Sequence, residues 1–146
     1  MAATNTSEIE QLNSLLRGEI SAVETYDQAL AKLADEPSLA VDLRSCRASH
    51  QARVFALRSE VRRLGGEPTD GSGMWGAFAK LVEGGAKVFG TKAAIAALEQ
   101  GEDKGLDDYE DDVESLAPTV RAFVEREIAP EQRRTHNLIA RLKERV

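Results

Sequence analysis

The stretch LLRGEISAVETYDQAL, Leu15 to Leu30, decides how the chain is read. Its apolar side chains return every three or four residues, the spacing of one helix face. A carboxylate, Glu19, falls inside that apolar stripe. Extended in both directions, the stripe becomes Ile9, Leu12, Leu16, Glu19, Val23, Tyr26, Leu30 and Leu33. The steps alternate three and four without a miss, which is the seam of a helix in a bundle. The spacing predicts a helix over about 8–34, opened by SEIE as a capping box with Ser7 at the N-cap and Glu10 reaching back.

The remaining segments continue the pattern. Pro37 starts a second helix, 37–64, which stops at Gly65-Gly66. Its seam is Leu43, Arg47 or Cys46, His50, Val54, Leu57, Val61 and Leu64. GGEPTDGSG follows as a loop. A short amphipathic helix over about 74–89 carries Trp75, Phe78, Val82 and Phe89 on one side and ends at Gly90. Thr91 caps a third long helix, 92–116, with Ile95, Leu98, Glu102, Gly105 or Leu106, Tyr109, Val113 and Leu116 inward. Pro118 opens a fourth, 118–145, and Pro130 inside it should kink it. Its apolar side includes Val120, Val124, Ile128, Ile139 and Leu142. The first and last connections are short, so each joins an antiparallel hairpin. The middle connection, 65–91, is long. The expected fold is one all-α domain, 1–146: a four-helix bundle of two antiparallel hairpins joined by a long crossover with a short extra helix.

The charge balance narrows the partners. The 146 residues carry 19 Lys and Arg against 25 Asp and Glu, a net charge of −6. A non-specific nucleic-acid binder or a binder of anionic membranes is normally basic, so both classes are disfavoured. No apolar run approaches the roughly 20 residues of a membrane span. The start, MAATNTSEIE, has neither the basic region nor the apolar core of a signal peptide. The single cysteine, Cys46, reads as a small buried hydrophobe and fits a reducing, cytoplasmic setting.

A repeat links the two hairpins. RGEISAVETY in the first helix aligns with QGEDKGLDDY in the third. Gly18, Glu19 and Tyr26 correspond to Gly101, Glu102 and Tyr109. The second helix of each hairpin carries one histidine, His50 and His136, the only two in the chain. The expected polar core is therefore Glu19, Tyr26, Arg47, His50, Glu102, Tyr109, Arg133 and His136.

These positions resemble the ferritin-like superfamily of di-iron carboxylate proteins over nearly the whole chain. That family places one glutamate on each of two helices and a Glu-x-x-His pair on each of the other two. Here RASH and RRTH stand where Glu-x-x-His would be, so Arg47 and Arg133 replace the carboxylates that bridge two metals. Within the superfamily the chain looks like a bacterial group of small four-helix bundles classed as a domain of unknown function. The carriers are LNSLLRGEISAVETYDQAL, LGGEP, the tryptophan-containing crossover and LEQGEDKGLDDYEDDV. The resemblance implies a cytoplasmic, stress-associated bundle and supplies no catalytic residue.

Two functional classes follow. In the first the core holds no cofactor: arginines neutralise Glu19 and Glu102, and the protein is a non-enzymatic structural or interaction module. In the second, iron or manganese is bound by Glu19, His50, Glu102 and His136, with oxidase or peroxidase chemistry. Charge favours the first, because two glutamates and two arginines already sum to zero and two divalent ions would be uncompensated in a low-dielectric core. Arg47 and Arg133 discriminate: inward they support the first class, outward the second. Counting from the turns sets Glu19 near Ala52, with His50 in reach, and Glu102 near Gln132, with Arg133 better placed than His136.

Other features have plainer readings. The run EQGEDKGLDDYEDDVE carries nine carboxylates and one lysine, and reads as a solvated helix face. The crossover helix, Trp75 to Phe89, would cover the bundle or dock a protein partner or a second copy, giving a homodimer.

Overall fold

A computed structural model describes residues 2–33, 35–71, 90–111 and 113–146, with side chains from Thr6 onward. Helix α1 spans Ala2–Lys32 and α2 spans Pro37–Arg63. Helix α3 spans Thr91–Leu106 and continues into a π-helical turn, Asp107–Asp111, and a 3-10 turn, Val113–Ser115. Helix α4, Pro118–Phe123, runs through a second π-helical turn, Val124–Ile128, into α5, Ala129–Arg145. Among the described residues there is no strand.

Local sequence explains most boundaries. Pro37 and Pro118 stand at helix starts, where the missing N–H costs nothing. Gly65 ends α2 with a φ of 83°, a left-handed conformation that glycine adopts freely. One boundary differs from expectation: α1 begins at Ala2, so Ser7 lies within the helix and the SEIE capping box does not form a start. Expected helix 74–89, with Trp75, Phe78, Val82 and Phe89, lies outside the described residues.

Just before Pro130 the last helix carries a widened turn. Proline has no N–H and its ring crowds the carbonyl four residues back. The Ala129 N–H bonds to Val124 O, five residues back, so the chain takes up the extra room just before Pro130.

The apolar core forms two layers. One contains Tyr26, Ala29, Leu39, Leu43, Cys46, Ile95, Leu98, Ile139 and Leu142. The other contains Leu12, Leu16, Val54, Leu57, Val61, Tyr109, Val113, Phe123 and Ile128. Helix α1 runs from the second layer to the first, and α2 returns. Helix α3 runs in the same sense as α2, and α4–α5 returns. The end of α2 and the start of α3 therefore lie at opposite ends of the bundle. α1 packs mainly on α2, and α3 on α5, so two antiparallel hairpins face each other.

Between the two apolar layers lies a polar one: Glu19, Ser49, His50, Arg53, Glu102, Gln132 and Thr135, each at most 5 % exposed. Two glycines bear on it differently. A Cβ at Gly105 would lie 2.6 Å from Gln132 Nε2 and 2.9 Å from its Cδ, whereas a Cβ at Gly18 would meet nothing within 4 Å. Gly105→Ala should therefore cost about 1–3 kcal/mol by displacing Gln132, despite alanine's helix preference. Gly18→Ala should instead stabilise by about 0.5–1 kcal/mol. Urea midpoints of the two variants test this, and equal shifts would remove the steric argument.

Candidate functional site

The polar layer is centred on His50. Its Nδ1 lies 3.1 Å from Glu19 Oε2, and its Nε2 lies 2.7 Å from Glu102 Oε1. Glu19 comes from α1 and Glu102 from α3, so one ring from α2 spans carboxylates of both hairpins. Only an imidazolium can donate from both nitrogens at once. The Tyr26 ring stacks on this imidazole, with centroids 5.4 Å apart.

Arg53, one turn beyond His50, supplies the second cation. Its Nη1 donates to Gln132 Oε1 and lies 3.4 Å from Glu19 Oε1. Its Nη2 donates to Ser49 Oγ at 3.0 Å and Thr135 Oγ1 at 2.9 Å. Thr135 in turn donates to Glu102 Oε2 at 2.8 Å, so one hydroxyl relays between guanidinium and carboxylate. Only Nε of Arg53 lacks a partner among the described buried side-chain atoms. Two carboxylates, one imidazolium and one guanidinium leave the layer neutral.

Glu102 is saturated. Oε1 accepts from the Tyr26 hydroxyl at 2.6 Å and from His50, and Oε2 accepts from Gln132 Nε2 at 2.9 Å and from Thr135. A carboxylate has about four lone-pair sites, and all are taken. Glu19 is faced by Tyr109, whose place in the π-helical turn brings it over the layer. Each tyrosine of the Gly-Glu-x6-Tyr repeat thus serves the glutamate of the other hairpin.

Burial alone would raise both carboxyl pKa values. For Glu19 the charges of Arg53 and His50 outweigh it, and the pKa is lowered. For Glu102 the charge and hydrogen bond of His50, with Tyr26 and Arg53, outweigh it and hold the pKa at about 2. Burial would depress His50, but the Glu19 and Glu102 charges raise it. Burial and the neighbouring glutamates push Tyr26 and Tyr109 well above the ordinary phenol range. Burial and Glu102 push the Cys46 thiol up to about 12, away from the thiolate form that reacts.

Of the expected polar core, Glu19, Tyr26, His50, Glu102 and Tyr109 come together, and three residues do not. Arg47 pairs with Asp27 at 2.7 Å on the surface between α1 and α2. Arg133 pairs with the exposed Glu110 at 2.8 Å. His136 points out to Asp103 at 2.6 Å, so it cannot join Glu102 as a metal ligand. Taken alone, outward arginines would favour the metal-binding class. Arg53, which the sequence reading missed together with Ser49, Gln132 and Thr135, holds the position they were expected to fill.

A di-metal centre does not fit these residues. The inward pairs at Glu-x-x-His spacing are His50 with Arg53 and Gln132 with Thr135. Neither pair keeps a carboxylate at its first position or an imidazole at its second. Among the described residues of the layer, the carboxylate and imidazole donors are Glu19, His50 and Glu102; both His50 nitrogens face carboxylates, and Arg53 already brings a fixed positive charge. Beside the layer, a cavity of about 260 Å³ opens between α1 and α3, reaching Glu19, Tyr26, His50, Glu102 and Tyr109. That is close to the lower end, roughly 300 Å³, of small-molecule sites, and leaves room for several waters.

A helical bundle with a buried, neutral ion-pair layer is the class that fold and site define. The chain belongs to the family described as Domain of unknown function (DUF2383), whose model matches residues 7–115. The matched span contains Glu19, His50, Arg53 and Glu102, while Gln132 and Thr135 lie beyond it. Neither a curated protein nor a solved structure matches the chain. No described helix is long and apolar enough to cross a membrane.

Arg53→Met keeps most of the buried stem but leaves two carboxylates on one imidazolium, and should cost about 3–5 kcal/mol. Arg47→Ala and Arg133→Ala remove exposed pairs and should each cost less than about 1 kcal/mol. Denaturant titrations rank the three, and an Arg47 loss as large as that of Arg53 would contradict the layer. His50 holds its proton more tightly folded than unfolded. Its stabilisation is full below the unfolded pKa near 6.5 and is lost as pH rises through the higher folded value. The carboxylates act oppositely: the stabilisation of Glu102 is present above about 4.5 and is lost as pH falls towards 2. Above pH 6.5 the wild type should lose up to about 1.4 kcal/mol per pH unit relative to His50→Gln. Parallel stability profiles for the two proteins would show that His50 is not charged.

Proposed function

We propose that this chain is a ferritin-like bundle whose interior works without metal, and that it serves as a non-enzymatic structural or interaction protein. The observation that carries this reading is His50, bonded to Glu19 and Glu102 at once, with Arg53 beside it. An imidazolium and a guanidinium supply the positive charge that metal ions would supply in a di-iron bundle. The antiparallel hairpins and the long α2-to-α3 connection support the ferritin-like reading of the fold. A cytoplasmic location and an association with stress rest on the sequence resemblance.

The arrangement also argues against general acid–base work. Catalytic groups are tuned towards the operating pH, whereas Glu102, both tyrosines and Cys46 are moved away from it, and both nitrogens of His50 are engaged by Glu19 and Glu102. The iron- or manganese-binding alternative would require His50 to lose its proton and Glu102 to release hydrogen bonds, with Arg53 still present.

Metal loading tests the proposal. Untagged protein purified without chelators should retain far less than one iron or manganese per chain after anaerobic loading and desalting. Its melting temperature should not rise with added Fe²⁺ or Mn²⁺. Retention of two ions per chain with a raised melting temperature would overturn the proposal, since a ligand at a hundred times its Kd adds about 2.7 kcal/mol.

A further inference from the structure

The outer face of α2 carries a stripe that the described residues leave uncovered. Val41 is 65 % exposed and Phe55 61 % exposed, and both are large apolar residues. Ala48 lies midway between them and Arg62 one heptad beyond, both exposed. Heptad positions drift only about 20° per step on a helix, so these four residues form one line. Val41 and Phe55 are about 21 Å apart along it, at 1.5 Å per residue. Ala52 and Ser59, also exposed, flank the line, so its middle is low and its two apolar side chains stand at either side.

The two ends of α2 carry opposite net charge, although Arg44 near its start and Glu60 in its last turn run against that direction. Asp35 and Glu36 precede its first turn, whereas Arg58, Arg62 and Arg63 lie in its last turns. A second copy of the helix laid antiparallel, with the two-fold axis at Ala48, brings the acidic start of each helix to the basic end of the other; Glu60, which comes opposite Glu36, is already paired with Arg63. Val41 meets the second copy's Phe55, and Phe55 meets its Val41. Ala48 faces Ala48, allowing the 8–10 Å axis separation of tightly packed helices. Arg62 reaches the second copy's Asp35 and Glu36 at both ends. A parallel arrangement would stack basic end on basic end.

We propose that the exposed face of α2 is a self-association surface, on which a second copy of this chain docks its own α2 antiparallel about Ala48. An isologous contact of this kind closes after two copies and leaves no open end. The dimer names a partner for the interaction role above, and it stands apart from the state of the core. Metal loading tests one, and molecular mass tests the other.

The full chain should sediment as a dimer at about 100 µM, the range suited to a small single-seam interface. Phe55→Glu should weaken the dimer by about tenfold or more, with an unchanged melting profile for the monomer. Arg62→Glu alone, and Asp35→Arg with Glu36→Arg, should each weaken it too. Mixing those two variants should restore a heterodimer, because each basic end then meets an acidic one. Ala48→Cys should form an intermolecular disulfide under mild oxidation, since the two positions meet on the axis. A wild-type chain that stays monomeric at that concentration, or a dimer indifferent to Phe55→Glu and to the charge exchange, would overturn the proposal.

Discussion

The bundle depends on a proton held between two helices. His50 can bridge Glu19 and Glu102 only as an imidazolium, and without that bridge two buried carboxylates would face each other across the interior. Burying either ion alone would cost several kcal/mol. The cost is offset because each charge has a partner and nearly every remaining donor and acceptor is used. Glu102 shows this most fully, with Tyr26, His50, Gln132 and Thr135 bonded to its two oxygens. Gly105 then becomes a requirement of packing, because Gln132 can sit against α3 only where there is no Cβ.

The internal repeat explains how two hairpins come to share one site. Each contributes a glutamate and, seven residues later, a tyrosine two turns further on the same face. When the hairpins pack, the glutamates meet near the middle of the bundle. Tyr26 reaches across to Glu102, and Tyr109 faces Glu19. The exchange makes the polar layer a joint between the hairpins as well as an interior of each. The second helices break the symmetry. α2 brings both cations, His50 and Arg53, while α5 brings the neutral Gln132 and Thr135. One fixed and one protonable positive charge meet two negative ones, so above the carboxylate range neutrality depends on pH through His50.

Much of this was legible in the sequence, and the misses have a geometric cause. Glu19, His50 and Glu102 sit in otherwise apolar seams, and a charge in a seam must be answered. The apolar face of the last helix is the one its periodicity predicts, with Val120, Val124, Ile128, Ile139 and Leu142 buried, but Arg133 and His136 lie off that face. Ile139 and Leu142 fix its inward face. Stepping back from Ile139 at 100° per residue, Thr135 lies about 40° away and Gln132 about 20°. His136 lies about 60° away and Arg133 about 120°, so the sequence already argued for Gln132 and Thr135. Titratable residues drew the reading towards Arg133 and His136 instead.

Arg47 and Arg53 are a different matter, because periodicity locates the centre of a helix face but not which flank a neighbour covers. Measured from the mean direction of the apolar seam, Arg47 and Arg53 each lie about 60° off, on opposite flanks. Periodicity alone therefore does not rank them. The packing decides. α5 covers the flank of Arg53 with Gln132, Thr135 and the Glu131 carbonyl. On the flank of Arg47, Asp27 of α1 waits at the surface. A long side chain with an exposed carboxylate in reach leaves the core, because solvent lowers the cost of its charge. Arg53, enclosed by α5, has its interactions inside the bundle, with Glu19 among them. The identity of the buried cation was therefore fixed by tertiary packing, and the charge in the seam could say only that one was needed.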